Sequence, residues 1–266
     1  MEINLIFGYL GALAIGLVLG LLGGGGSILT VPVLAYLFYL NPVTATAYSL
    51  FVVGVASLVG TIKYFKEGLV NLKVALVFAA PAMLAVYVTR KYLIPAIPQE
   101  LFSVGDFVVS KDIFIMLFFA AIMLLAAISM IRTRKKINPE STDVYYNYPL
   151  ILVEGLSVGV LTGVVGAGGG FLIIPALVIL AKLPIKQAIA TSLLIIAIKS
   201  LVGFLGDVFN FAINWPFLLV FTGIAVVGIF IGTALNKRVK PAYLKRLFGY
   251  FVLIMAIYII IKEVFL

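Results

Sequence analysis

The chain has 266 residues, of which 64% are hydrophobic and 11% are charged, and its mean hydropathy is +1.25. Soluble domains are about half apolar and about a quarter charged, so this composition excludes a soluble globular protein and indicates an all-α, polytopic membrane protein. The net charge of +9 does not indicate nucleic-acid binding, because the basic residues cluster in loops between apolar runs. Cysteine and histidine are both absent, so we expect no disulfide, metal site or cofactor.

Apolar runs of spanning or near-spanning length recur along the chain, at 3–22, 44–62, 74–89, 113–131, 148–165, 187–206, 215–235 and 247–261. Two further runs, 28–40 and 171–181, follow clusters of glycine and are too short to cross a hydrocarbon core of about 30 Å. Residues 92–112 contain two prolines and nearly balanced charge, which predicts an external loop. Residues 132–147 are a polar linker.

The chain matches itself when it is shifted by 143 residues. Over 16–60 against 159–203, 18 of 45 positions are identical without a gap. Glycine, proline and serine identities weigh most in so apolar a chain; they include Gly16/Gly159, Gly20/Gly163, Gly23/Gly166, Gly25/Gly168, Gly26/Gly169, Pro32/Pro175, Ser49/Ser192, Ser57/Ser200 and Gly60/Gly203. We therefore predict two transmembrane repeats, 1–131 and 148–266, joined by a cytoplasmic linker at 132–147.

Each repeat contains five helical elements, and the odd number predicts that the second repeat is inverted relative to the first. The charges support inversion, because the segment 63–73 carries three lysines whereas its repeat partner 206–214 carries no lysine or arginine. With the linker in the cytoplasm, 14 of the 19 basic residues fall on the cytoplasmic side. The basic residues left over are Arg90, Lys91, Lys111 and Lys262 outside and Lys199 within a span. We expect a multi-pass protein of the cell membrane with both termini outside.

Runs of consecutive glycines interrupt the apolar chain at 24–26 and 168–170. The short segments that follow have 13 and 11 residues, so the turns are predicted to lie within the membrane and to give glycine-broken, partly re-entrant helices. Glycines that lead into a helix start present several N–H groups beside the positive end of the helix dipole, which suits a small oxyanion. Close helix packing by small residues is the alternative, and we favour it for the spaced glycines at 16, 20 and 23 and at 159, 163 and 166.

The pair of glycine-rich stretches, each followed by a proline and then by "AYSL" (47–50) or "ATSL" (190–193), resembles the sulfite exporter TauE/SafE family. "IAIKSLVGFLGD" (196–207) also resembles the second-half pattern of that family. The resemblance covers nearly the whole chain. It implies a permease for small anions such as sulfite, sulfonates or related organosulfur compounds. The first half departs from the second at Ser27, where Gly170 is the partner, and at Tyr48, where Thr191 is the partner.

The candidate anion-binding residues combine the glycine turns, the hydroxyls of the third helix in each half and one lysine. They are Gly24, Gly25, Gly26, Ser27, Ser49, Gly168, Gly169, Gly170, Thr191, Ser192, Lys199 and Ser200. Each hydroxyl has an alternative role, a hydrogen bond back to the carbonyl four residues earlier. Lys199, the only basic residue inside a predicted span, either attracts the anion or forms a structural pair with Asp207. We interpret Glu154 and Asp207 as interfacial or paired carboxylates rather than proton carriers.

A secondary transporter that works by alternating access is the leading hypothesis. Moving one negative charge outward gains about 2.3 kcal/mol per 100 mV, so export of a monoanion needs no ion coupling. An anion channel is the alternative. The chain has no histidine metal motif, no GxGD protease motif and no P-loop, so we expect neither an enzyme nor an ATP-driven pump. The expected partners are a small anionic substrate, the lipid bilayer and, as an open option, a second copy in a homodimer.

The predicted topology can be tested by labelling single cysteines, since the chain has none of its own. In whole cells, Ser141→Cys and Asn236→Cys should be protected from an impermeant maleimide, because both residues are predicted to be cytoplasmic. Ser103→Cys should react, because it lies in the predicted external loop. Labelling of Ser141→Cys from outside intact cells would reverse the assignment.

Overall fold

The computed structural model describes residues 2–104, 107–132, 148–179, 181–235 and 241–265. The first half contains α1 (Glu2–Leu22), a 3₁₀ turn (Gly23–Leu29), α2 (Thr30–Pro32), a π-helical turn (Val33–Leu37), α3 (Pro42–Lys66), α4 (Leu72–Val88), a second π-helical turn (Thr89–Leu93), α5 (Ile94–Ala96), the strands β1 (Glu100–Val104) and β2 (Phe107–Ser110), and α6 (Lys111–Ile131). The second half contains α7 (Tyr148–Val165), α8 (Gly170–Ile179), α9 (Ile185–Leu205), α10 (Trp215–Leu235) and α11 (Pro241–Phe265).

Within the described residues, seven helical segments are long and apolar enough to cross a membrane. They include α3, α6, α9 and α10 over their whole lengths, while α7 and α8 are shorter apolar helices. Because a helix satisfies its own backbone hydrogen bonds, such segments are stable in lipid. The chain is thus a multi-pass helical membrane protein, as its composition predicts.

The predicted external loop contains secondary structure that the sequence analysis did not predict. Strands β1 and β2 pair as an antiparallel hairpin, and α5 precedes them. The strand sequences ELFSV and FVVS are rich in aromatic and β-branched residues, which favour extended backbone. The segment predicted as an external loop therefore contains a short hairpin, while the other described elements are helical, as the all-α class predicts. Most of the predicted linker (133–147), with Ser141, and also Asn236 lie outside the described residues.

The first helix of each half packs against the fourth of the five helical elements of the other half. Gly16 of α1 faces the backbone of Ala225 on α10, and Gly159 of α7 faces the backbone of Ala82 on α4. Both pairs are related by the repeat shift, so one helix contact occurs twice. A side chain at either glycine would collide with the facing carbonyl oxygen. The packing role predicted for these two spaced glycines is confirmed.

The third helices, α3 and α9, pack against one another in opposite directions. Leu50 lies against Gly203, and its repeat partner Leu193 lies against Gly60. Residue numbers therefore rise along α3 as they fall along α9. Equivalent helices of the two halves are antiparallel neighbours at the centre of the bundle.

Hydrogen bonds join the loops into two separate ends of the bundle. At one end, Lys63 Nζ donates to the carbonyl oxygen of Thr233, and the amide of Asn71 donates to Thr191. At the other end, the Asn41 side chain donates to Asp112. The loops 67–71 and 181–184, which the charges assign to one side of the membrane, therefore lie at the same end.

Candidate functional site

The two glycine turns meet at the centre of the molecule, beside the crossing of α3 and α9. Gly24 and Gly170 are in backbone contact, and a Cβ on either residue would overlap the other. Gly168 lies against Val53 of α3 and Ser27. Two interrupted segments from opposite halves thus approach more closely than any side chain would allow.

The two turns have different backbone conformations. Gly23 and Gly166, which end α1 and α7, have positive φ angles of 68° and 71°. Their predicted packing role is therefore incomplete, because each also supplies a left-handed residue at a helix end. Gly168 and Gly169 are left-handed as well, with φ of 63° and 64°. The consecutive glycines of the first half instead continue as a 3₁₀ turn, in which the Ser27 hydroxyl donates to the Gly24 carbonyl at 2.7 Å.

Lys199 of α9 is fully buried beside the second glycine turn. Its Nζ donates to Thr162 Oγ1 on α7 at 2.8 Å. A Cβ built on Gly169 would lie 3.1 Å from Lys199 Nζ, so this nitrogen adjoins the start of α8. No carboxylate of the described residues forms an ion pair with it. The alternative pairing with Asp207 is wrong, because Asp207 binds another cation.

That cation is Arg90, which the sequence analysis assigned to the outside of the membrane. Arg90 is 0% exposed, and its Nε donates to Asp207 Oδ2 at 2.5 Å. Its Nη1 donates to Thr46 Oγ1 at 3.0 Å and to the Gly163 carbonyl at 3.2 Å. Its Nη2 donates to the Val43 carbonyl at 3.3 Å. Arg90 therefore joins α3, α7 and the end of α9.

Because Arg90 also lies within a candidate span, the interpretation that Lys199 is the only basic residue within the spans is wrong. The helical segment Leu72–Ala96 continues past the predicted end of its apolar run at residue 89. The apolar residues that follow Arg90 and Lys91 were the available signal for this longer segment. Asp207 is a paired carboxylate, as interpreted, whereas Glu154 Oε2 is buried and has no hydrogen-bond partner within the described ranges.

Thr191 and Tyr48 make the same hydrogen bond in the two halves. Thr191 Oγ1 accepts from the amide of Asn71 at 3.0 Å, and the Tyr48 hydroxyl accepts from the amide of Asn214 at 2.6 Å. Asn71 and Asn214 also cap α4 and α10 through their side chains. Tyr48 replaces Thr191 at the equivalent position but keeps a hydroxyl, which binds the residue that caps a helix of the other half.

The serines of α3 and α9 divide into two groups. Ser192 donates to the Ile189 carbonyl at 2.8 Å, which matches the alternative role as a bond back along the helix, three residues away. Ser49, Ser57 and Ser200 are fully buried, and their hydroxyl oxygens have no hydrogen-bond partner in the described part of the chain. Buried hydroxyls are ordinarily paired, so each of these three has an unused capacity to donate and accept a hydrogen bond.

The contacts bring part of the predicted site together, namely Gly24, Ser27, Gly168, Gly169, Gly170 and Lys199, whereas Thr191 bonds to the loop at one end of the bundle. Two cavities, of about 420 and 440 Å³, lie elsewhere and include neither a glycine of the turns nor Lys199. One adjoins the hairpin and α5, and the other lies between α3 and α10. Among the described residues, no group of three acidic side chains is placed to hold a metal ion.

Residues 9–259 match the family described as Sulfite exporter TauE/SafE. The chain belongs to this family. A probable membrane transporter protein of Xylella fastidiosa (strain Temecula1) is 30% identical over 92% of this chain and 91% of its own length. The probable membrane transporter protein YunE of Bacillus subtilis is 30% identical over 85% of this chain and 86% of its own. No solved structure matches. This TauE/SafE protein is therefore a membrane transporter.

The contact between the glycine turns predicts that alanine is tolerated less well at Gly170 than at Gly25, which belongs to the other turn. Gly170→Ala should strongly reduce the yield and thermal stability of purified protein, because the new Cβ overlaps Gly24. Gly25→Ala should keep the fold, since the nearest atom to its Cβ would be 3.6 Å away. Equal stability of the two variants in a thermal unfolding assay would contradict this contact.

The buried ion pair predicts that removing one charge is worse than removing both. Asp207→Ala should lower the free energy of unfolding by about 3–5 kcal/mol, because it leaves the Arg90 guanidinium unpaired. Arg90→Met combined with Asp207→Leu should recover part of this loss. Thermal unfolding in detergent measures both effects. A double variant less stable than Asp207→Ala would show that the pair is not the source of the loss.

Proposed function

We propose that this TauE/SafE protein is a secondary transporter that exports small anions, such as sulfite, sulfonates or related organosulfur compounds, by alternating access. The observation that carries the proposal is the burial of Lys199 against the start of α8 without a carboxylate partner. A buried charge inside a membrane is costly unless it is paired, and such residues mark sites for charged ligands. An anion is the ligand that this position can pair.

Four features of Lys199 and its neighbours favour an anion. Lys199 supplies charge when it is protonated, and the adjoining start of α8 supplies the positive end of a helix dipole. The left-handed glycines 168 and 169 bring backbone close to any bound group. The unpartnered hydroxyl of Ser200 follows Lys199 on the same helix. The other predicted ligands, at 24–27, Ser49, Thr191 and Ser192, stay part of the proposed set.

We also propose that the two repeats are inverted and that the interrupted segments are partly re-entrant. The antiparallel packing of α3 on α9 and the recurrence of equivalent contacts support the inversion. The gathering of Lys63 and the loops 67–71 and 181–184 at one end supports a cytoplasmic position for that end. This arrangement would place both termini outside the cell membrane.

Export is the direction that the family description favours. A carrier is preferred over a channel because the glycine turns are in backbone contact at the proposed site, which leaves no open path there. A homodimer stays a prediction. Only 28% of the apolar stretch in the span Leu244–Phe265 of α11 is buried within the protein, so this helix has an exposed face on which a second copy could pack.

Substituting Lys199 tests the anion site. Lys199→Met keeps most of the side-chain length and removes the charge, so binding of a sulfonate or sulfite should weaken at least about tenfold, equivalent to about 1.4 kcal/mol. The protein should still fold, because no carboxylate is left unpaired. Isothermal titration calorimetry on purified protein gives the affinity.

Lys186→Met is the matched control, because it removes the same charge from an exposed position on the same helix. It should bind the anion as the wild type does. A well-folded Lys199→Met protein with wild-type affinity would rule out the proposed role of Lys199. Saturable flux with counterflow in liposomes would support a carrier, and its absence would favour the channel.

A further inference from the structure

We propose that each anion binds together with one proton, which Lys199 takes up as the anion enters the site. The inference rests on the proposed function and adds a second, coupled substrate to it. In the empty site the side chain is the neutral amine, Lys–NH₂. In the loaded site it is the ammonium, Lys–NH₃⁺, paired with the anion.

The empty site disfavours the ammonium for two independent geometric reasons. Lys199 is fully buried, and its one hydrogen-bond partner among the described residues is the uncharged hydroxyl of Thr162. Its Nζ also adjoins Gly169, one residue before α8 begins, so the positive end of a helix dipole faces it. Burial without a counter-charge and a neighbour of like sign both favour the neutral amine.

A bound anion reverses both effects. It supplies the missing counter-charge for the ammonium, and it also satisfies the positive start of α8. Binding of the anion and binding of the proton therefore strengthen one another, and thermodynamic linkage makes the coupling reciprocal.

The titratable groups on the surrounding elements do not replace that counter-charge. The glycine turns and α8 carry no titratable side chain. On α9, Asp207 is eight residues away and is already paired with Arg90 of the α4 segment. On α7, Glu154 is eight residues before Thr162, which is about 12 Å along the helix. The titratable residues of α3 facing the ends of the bundle are Tyr48, Lys63, Tyr64 and Lys66.

This coupling changes what drives transport. When an anion crosses together with one proton bound to Lys199, one negative charge fewer moves across the membrane in each transport event. A monoanion would then cross as a neutral pair, and its export would depend on the gradients of the anion and of protons rather than on the membrane potential.

The decisive experiment measures proton uptake when methanesulfonate binds, because this sulfonate keeps a constant charge across the pH range used. Isothermal titration calorimetry of wild-type protein in two buffers of different ionisation enthalpy gives the number of protons taken up per anion. We expect a value near one at alkaline pH. The dissociation constant should rise about tenfold for each pH unit above the pKa of the empty amine.

Two variants separate the proton from the charge. Lys199→Arg keeps a cation that does not deprotonate in this range, so its binding should show no proton uptake and no pH dependence. Lys186→Met, on the exposed start of α9, should keep the wild-type uptake. If Lys199→Arg fails to fold, the wild-type measurement in two buffers decides alone.

Each outcome bears on one proposal. Wild-type binding of methanesulfonate with no proton uptake and a constant dissociation constant would overturn the coupling and leave the anion site intact. No binding of methanesulfonate, sulfate or thiosulfate at any pH would overturn the proposed function, and this inference with it.

Discussion

The close approach of two glycine turns is the constraint on which the rest of the molecule depends. Gly24 and Gly170 touch through their backbones, which brings the interrupted segments of the two halves together beside α3 and α9. Non-helical backbone is tolerated at membrane depth only where protein or a cavity surrounds it. The contact of α1 with α10 recurs as the contact of α7 with α4, so equivalent helices of the two halves pack in the same way.

The two basic side chains that are 0% exposed among the described residues, Arg90 and Lys199, have opposite environments. Arg90 has a carboxylate and three further acceptors, so its charge is compensated within the protein. Lys199 has a single neutral hydroxyl. A fully paired cation holds helices together, whereas an unpaired one can still bind a ligand of opposite charge. The difference in partners, rather than burial itself, separates a structural residue from a candidate ligand.

The sequence predicted the features that follow from composition and repetition. Spanning helices, the spaced-glycine contacts of Gly16 and Gly159, and the burial of Lys199 were all accessible, because each depends on residue type at a fixed spacing. The division into two repeats stays a prediction. The partner of Asp207 was not accessible, since Arg90 is distant in the chain and meets it only through the packing of α4 on α9. The hairpin at β1 and β2 was missed because two prolines and mixed charge resemble an irregular loop. The functional roles of the site residues stay predictions, because hydrogen bonds within the protein do not identify a ligand.

The polar pair of Lys199 and Thr162 occurs on only one side of the repeat. Their partners under the 143-residue shift are Ala56 and Leu19, and Gly26 contacts Leu19 as Gly169 contacts Thr162. If the two halves exchanged conformations, the two resulting states of the protein would therefore differ in free energy, because the lysine lies in the second half alone. A carrier built on this plan has an intrinsic resting orientation even when the solutions on both sides are identical. Its affinities for substrate on the two sides of the membrane would differ for the same reason.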